Sequence, residues 1–433
     1  MDRPNIVLMI CHDLGQHLGC DGIETIRTPA LDGLAGQGVR FSNSFCTAPS
    51  CSPSRASIFT GRYPHSNGVL GLCHSDFGWD LHLTERHLAG LLRDAEYHTA
   101  LIGTQHATRR LDDMGWEHVE PKGSCDGVAR RAVKWLEKAA GGARPFYAQI
   151  GFVEPHRKFD FGGAQPDDSK GVHVPHWLVD EPTARDEFAA YQGAIGKLDI
   201  AIGEILRAVD DLGIRDNTIV IFTTDHGMPF PRAKCSLYDP GIEVAFIARW
   251  PGGGWAGGTV YEEMISNVDY APTLLEAVGI DGPENIQGRS LLGLLNGMGY
   301  SPRDEVFAEM TYHDYFDPRR CIRTRTHKLI ANFTTAPFFM DPSQMWRPGT
   351  ITAEPEDPTR AFHPHLELYD LESDPEETAN IVDNDEHADI ARELSGRLLE
   401  WMEETDDPLR HGPPPSPHHR AVMSRLRSAS DGP

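Results

Sequence analysis

The chain of 433 residues contains no apolar run that approaches the length of a membrane span. The apolar stretch at 5–10 is too short for a signal-peptide core and carries no cleavage pattern. A cytoplasmic location is therefore expected for the chain as it stands, with a periplasmic one if a leader has been removed. Positive charge is scarce: 40 Lys and Arg stand against 64 Asp and Glu, a formal net charge of -24. That balance excludes nucleic acid as a partner. It also requires any site for an anion to be local, focused by a cleft. The eight cysteines, at 11, 20, 46, 51, 73, 125, 235 and 321, show no zinc-type pairing. A chain of this size in a reducing compartment needs no disulfide framework. Internal repeats are absent. What is present is a chain 39% hydrophobic, long enough for one large α/β domain and a smaller one.

Short apolar runs set the framework. Residues 5–10, 99–102, 146–153, 218–222 and 244–248 read as strands, several of them continuous runs of the kind buried on both faces. Helical patterns stand between them. One covers 28–35, with Thr28 as N-cap and Pro29 at its first position; others cover 84–94 and 126–140. The clearest runs over 183–212, with Phe188, Tyr191, Ile195, Leu198, Ile202, Ile205 and Val209 in steps of three and four. Another, 269–279, is closed by glycine. Residues 160–182 read as a long loop. The alternation predicts an α/β fold: a large, mostly parallel sheet flanked by helices. From about Arg320 the texture changes. Residues 321–333 partly alternate, 367–371 reads as a strand and 385–404 as a helix. This predicts a smaller C-terminal α+β subdomain with an antiparallel sheet. The expected divisions are a catalytic domain over 1–318, the subdomain over 319–410, and a Pro-rich tail over 411–433, read as an arm or partly disordered.

Four of the strands end in polar groups: His12 and Asp13, His106, His156, and Asp225 with His226. The carboxyl edge of a parallel sheet is where open α/β folds place their sites. A lone Asp-His pair is usually a solvated loop; four sets at strand ends point to one site. The run Pro49-Ser-Cys-Ser-Pro-Ser-Arg-Ala-Ser-Ile-Phe-Thr-Gly61 adds to them. Pro53 suits a first helical turn, which puts Cys51 just outside a helix N-terminus, where free N–H groups favour an anion. Arg55, about one turn on, adds a planar fork of donors. A lone cysteine in such a place is more often a packed thiol.

The whole string C-S-P-S-R-A-S-I-F-T-G at 51–61 resembles the signature of the formylglycine sulfatases, in the alkaline-phosphatase-like superfamily. The strings T-T-D-H-G-M-P-F-P-R-A-K-C-S-L-Y-D-P-G at 223–241 and E-L-Y-D-L-E-S-D-P-E-E-T-A-N at 367–380 resemble the N-sulfoglucosamine sulfohydrolase branch. The resemblance implies an enzyme that hydrolyses a sulfate ester or sulfamate on a sugar or other small organic sulfate, releasing sulfate. It implies that Cys51 is oxidised to formylglycine by a formylglycine-generating or anaerobic sulfatase-maturing enzyme. Asp13, Asp225 and His226, with the group at Cys51, would hold one divalent cation, expected to be Ca2+. Arg55 and Lys234 would neutralise the aldehyde hydrate and the sulfuryl oxygens, His106 would contact the hydroxyls, and His156 would protonate the leaving group. No membrane is implied as a partner; a homo-oligomer is compatible with the chain.

Two departures from the family pattern stand out. His12 occupies a position where many members have a first aspartate, and Thr104 one where many have lysine. Arg109, Arg110 and Arg319 are candidates for the missing charge; His74 and Asp76 are candidates for the pocket border, and the resemblance places His313 and Arg319 among the substrate contacts. Cys11 and Cys235 read as packed thiols. A phosphonate monoester or phosphodiester hydrolase using the same nucleophile is the alternative enzyme. A non-catalytic binder of sulfated glycans is the alternative of another class.

Overall fold

The computed structural model describes residues 3–74, 76–335 and 362–430. Among these, the larger sheet has eight strands: β1 (Asn5–Cys11), β2 (Val39–Phe45), β3 (His98–Gly103), β4 (His118–Glu120), β5 (Phe146–Gly151), β6 (Thr218–Thr224), β7 (Phe246–Arg249) and β8 (Thr259–Ser266). Their order is β4-β3-β5-β1-β6-β7-β2-β8. All pairings are parallel except those of β7, which runs against both β6 and β2. The run expected at 244–248 is thus a strand, but an antiparallel one.

β1 shows why the sheet holds together. All seven residues are buried. Side chains alternate across a strand. Val7 and Met9 therefore join a core with the helices Cys125–Ala139 and Pro182–Asp211. Ile6, Leu8 and Ile10 join the core on the other face, with the helices Cys51–Thr60, Leu88–Asp94 and Tyr270–Ala277. No helix among the described residues is long and apolar enough to cross a membrane. All eight cysteines are free.

A second sheet packs beside the first. It consists of β9 (Glu305–Tyr312), β10 (Phe316–Thr324), β11 (His327–Asn332) and β12 (Leu366–Asp370), antiparallel in the order β12-β11-β10-β9. The helix Ala388–Glu404 covers one face through Leu394, Leu398, Trp401 and Met402.

Several sequence expectations are corrected here. The division at 318/319 falls inside β10, because the small sheet already begins at Glu305. The helix expected over 84–94 starts at Leu88: His87 ends the preceding loop and its Nδ1 accepts from Ala89 N at 3.1 Å. Strands β2, β4, β8 and β9 were not expected. β2 is interrupted by Arg40, Ser42 and Asn43, and β8 is an edge strand carrying Glu262 and Glu263. The tail is not simply an arm: Pro417–Ser430 is a helix. It is tethered where Tyr312 Oη donates to Pro414 O at 2.8 Å and Arg420 lies over the Trp79 ring at 5.5 Å. Residues 431–433 of that tail lie outside the described residues.

Candidate active site

β1 and β6 are neighbours, with Cys11 opposite Thr224. The turns that follow them therefore meet. Asp13 has a left-handed backbone (φ 50°), which Asp tolerates better than most residues. Its N–H donates to Asp225 Oδ1 at 2.9 Å, and Gly15 N donates to His226 O at 3.0 Å. Gly15 has φ +64°, and a Cβ there would stand 3.4 Å from the Cα of Gly227. Two supports were not foreseen. Thr224 Oγ1 accepts from Leu14 N at 3.2 Å, and Tyr191 Oη donates to Asp13 O at 2.8 Å. A signal was available for the second: a tyrosine on an otherwise apolar buried stripe needs a partner for its hydroxyl.

The helix bearing Cys51 differs from expectation in its start. It begins at Cys51 itself, with Ser50 as N-cap, and all ten of its residues are buried. Cys51 therefore occupies the first helical position, not one outside the helix. Cys51 Sγ lies 3.3 Å from His226 Nε2. Arg55, wholly buried, donates through Nε to Asp225 Oδ2 at 2.9 Å and through Nη2 to Cys11 O at 2.7 Å. Its Nη1 is buried without a hydrogen-bond partner. Ser54 Oγ donates to Asp225 O, and Asn267 Nδ2, a further unforeseen support, donates to Ser54 Oγ at 2.8 Å.

Ligand atoms of His12, Asp13, Cys51 and Asp225 lie within 4.8 Å of one another. Asp13 Oδ1 is buried without a hydrogen bond and stands 3.2 Å from His226 Nε2. His226 Nδ1 lies 3.0 Å from Gly227 O, which can only accept, so Nδ1 carries the hydrogen and Nε2 presents a lone pair. Burial, outweighing Asp225 and Asp13, keeps this imidazole below its ordinary pKa. A lone pair and an orphaned carboxylate oxygen facing one another fit a cation between them. His12 Nδ1 is 2.9 Å from Asp225 Oδ2 but out of hydrogen-bond alignment, which places His12 inside the cluster. Burial, then Arg55, lowers His12 to about 4. Burial opposes ionisation of Asp13 and Asp225. Lys234 beside Asp13, and His226, His12 and Arg55 around Asp225, overcome it and hold both below the usual carboxylate range.

Lys234, 6% exposed, donates from Nζ to Asp13 Oδ2 at 2.9 Å and lies 3.4 Å from His156 Nε2. Burial alone would lower it, but Asp13 and Cys51 raise it. His156 Nδ1 faces Arg157 O, so its Nε2 is the acceptor for Lys234. Burial lowers His156 despite Asp13 nearby, so it rests neutral at neutral pH. A ring nitrogen of His106 lies within 4.8 Å of Cys51 Sγ. His106 also stacks on His74, with ring centroids 4.4 Å apart, and the two Nε2 atoms meet. Burial pushes the Cys51 thiol well up, so the cysteine as such is a poor nucleophile.

The residues given a catalytic or metal role from the sequence, Asp13, Cys51, Arg55, His106, His156, Asp225, His226 and Lys234, thus lie in one cluster. The three arginine candidates for the missing charge do not stand free. Arg109 and Arg110 lie 3.6 and 3.8 Å from Asp80, and Arg319 pairs with Asp317 at 2.6 Å.

Residues 4–280 match the family model described as Sulfatase. Residues 229–344 match one described as N-sulphoglucosamine sulphohydrolase, C-terminal. Human (Homo sapiens) N-sulphoglucosamine sulphohydrolase is 30% identical over 462 residues, covering 94% of this chain and 91% of that protein. An ulvan-active sulfatase of Formosa agariphila is also 30% identical, over 421 residues, covering 94% and 82%. Among solved structures, a protein in complex with its substrate D-glucosamine-2-N,6-O-disulfate superposes with TM-score 0.73 at 20% identity, covering 94% of this chain and 99% of that one. The phosphonate monoester hydrolase of Agrobacterium radiobacter does so with TM-score 0.73 at 19% identity, covering 93% and 96%. At these identities the superpositions speak for the fold alone, but the family match spans most of the chain and the human relative nearly all of it: this chain belongs to the sulfatase family.

Proposed function

We propose that this chain hydrolyses a sulfate ester or sulfamate of a small sulfated sugar, through a formylglycine made from Cys51 and one divalent cation, expected to be Ca2+. The observation that carries this reading is the setting of Cys51. Its thiol is buried and held protonated, yet it stands among orphaned polar atoms that suit a charged ligand. Asp13, Asp225 and His226, with His12 beside them, would hold the cation. Bound there, a divalent ion supplies Lewis-acid stabilisation of the sulfuryl oxygens. The hydrated aldehyde supplies one oxygen to attack sulfur and a second to expel sulfate.

The remaining chemistry belongs to the chain's own side chains. Arg55 aligns Asp225 and leaves Nη1 for a developing negative charge. Lys234, held charged by Asp13, offers its ammonium to the sulfuryl oxygens, and His156, once protonated beside the anionic substrate, is placed to protonate the departing oxygen or nitrogen. His106, kept neutral mainly by burial, is the base that takes the proton of the second hydroxyl. The human relative's name, N-sulphoglucosamine sulphohydrolase, favours an N-sulfated sugar, and that of the Formosa relative, an ulvan-active sulfatase, favours a sulfated group on ulvan.

The test begins with the Cys51 peptide from protein co-produced with a maturing enzyme. Its mass falls by about 18 Da when CH2SH becomes CHO. Converted protein is then assayed for sulfate release from N- and O-sulfated sugars, and on matched aryl sulfate and phosphonate esters, before and after chelation. Turnover that appears with the aldehyde and drops on chelation is the expected result. Full conversion with no sulfate released from any of these substrates would sink the reading.

A further inference from the structure

Lys234 sits between two residues with left-handed backbone, Arg232 (φ 66°) and Cys235 (φ 64°). Residues with side chains hold that conformation only where their surroundings over-determine it. On the inner side, Cys235 N donates to Pro49 O at 2.8 Å, two residues before Cys51. On the outer side the restraints come from the small sheet and the turn after it. Lys328 of β11 is wholly buried. Its Nζ lies 2.5 Å from Asp239 Oδ1 and 2.6 Å from Glu377 Oε1, and donates to Leu237 O at 3.1 Å. Glu377 Oε2 accepts from Asp239 N at 2.6 Å. Arg232 donates to Glu376 O at 3.0 Å and to Glu377 O. Both flanks of Lys234 are thus gripped by one carboxylate turn and one lysine.

We propose that Glu377 and Lys328 are positioning residues for Lys234: the small sheet fixes segment 232–239 so that the Lys234 ammonium meets Asp13 and His156. The inference rests on the catalytic part assigned to Lys234 above. It makes the second sheet a component of the active site. Neither residue touches the reacting atoms; both act through the backbone that carries Lys234.

The test compares Glu377→Gln, Lys234→Met and the double variant in aldehyde-converted protein. Glu377→Gln keeps the acceptor for Asp239 N and turns an amide NH2 toward the Lys328 ammonium in place of a carboxyl oxygen. It is expected to lower kcat about tenfold with KM changed less than about twofold, since the ammonium is needed in the transition state. Placed on Lys234→Met, it is expected to cost less than about twofold more, because its effect passes through a residue already removed. Leu398→Ala, which loosens the same subdomain from its covering helix, lowers the melting temperature but leaves kcat per folded molecule unchanged. Amide hydrogen exchange gives a readout independent of turnover: Glu377→Gln raises exchange at 232–239 and leaves β1 and β6 unaltered. Unchanged exchange at 232–239, or a full multiplicative loss on top of Lys234→Met, overturns the inference. Wild-type protein that carries the aldehyde and releases no sulfate overturns the functional reading instead, and the exchange result still decides the positioning.

Discussion

Two arginines of this protein, Arg55 and Arg320, are wholly buried and both answer a carboxylate, yet they are built differently. Arg320 in the small sheet is complete. It donates to both oxygens of Asp407, and its Nη1 reaches Met310 O at 2.9 Å, Thr311 Oγ1 at 3.1 Å and Arg319 O at 2.9 Å. Arg55, on the helix Cys51–Thr60 beside the large sheet, answers Asp225 and Cys11 O and then stops, with Nη1 buried and unpartnered. Buried donors in native proteins are almost always satisfied, so an exception asks what else is meant to arrive. Arg320 closes a structure; Arg55 leaves a place in one.

The largest expected effect removes what the incomplete cluster surrounds. Cys51→Ser is expected to abolish multiple turnover, with a loss of about 10^4-fold or more in sulfate release. A single round that leaves sulfate on the serine, seen by mass, is compatible with the reading; sustained turnover is not.

Next comes the pair itself. Arg55→Met is expected to lower kcat by about 10^2- to 10^3-fold. Arg320→Met leaves Asp407 buried and unpaired, and is expected to cost about 3–5 kcal/mol of stability while kcat per folded molecule changes little. Melting curves and initial rates on both variants check this. An Arg55→Met protein that melts early but turns over normally would break the comparison.

A smaller effect separates buried histidines from the site. His87 is buried far from Cys51 in function: its Nδ1 caps a helix by accepting from Ala89 N, and burial lowers it to about 3. His17 is lowered similarly, by burial and then His173. The folded pKa lies below the unfolded one, so the stability is whole above about pH 6.5 and is lost as pH falls toward the folded value. The slope is at most about 1.4 kcal/mol per pH unit for each group. His87→Asn, which caps without titrating, is expected to flatten the dependence of melting temperature on pH between about pH 6.5 and pH 4. An unaltered slope removes His87 from the account.

The smallest effect is expected where water completes every bond. Asp389, with 95% of its side chain exposed, pairs with Arg392 at 2.7 Å. Asp389→Ala is expected to move the melting temperature by no more than about 2 °C.

Much of this was legible in the chain. Buried parallel strands are continuous apolar runs, so β1, β3, β5 and β6 announced themselves, and the polar residues just past them marked the site edge. β2 and β8 did not, because strands that are edged with Arg40, Asn43, Glu262 and Glu263 lack that signature. The residues with charge or sulfur in the site were readable as chemistry. Of the groups that hold them, Tyr191 left a sign, a hydroxyl on a buried apolar stripe, while Thr224 and Asn267 did not, since partners more than 200 residues away leave no local pattern. Arg55 shows a mixed case: its presence was foreseen, while its first partner, Asp225, depended on the register of β1 against β6.

The complete burial of the helix Cys51–Thr60 has a consequence in time. Cys51 is 2% exposed, with Asp13, Asp225 and His226 closed around it. On the function proposed above, an enzyme that oxidises Cys51 would have to reach a thiol that the folded chain encloses. The neighbours that seal the thiol come from β6 and its turn, more than 150 residues later in synthesis. The window for the proposed modification would then open when Cys51 emerges and shut when β6 pairs with β1. A chain folded ahead of such an enzyme would keep its sulfur.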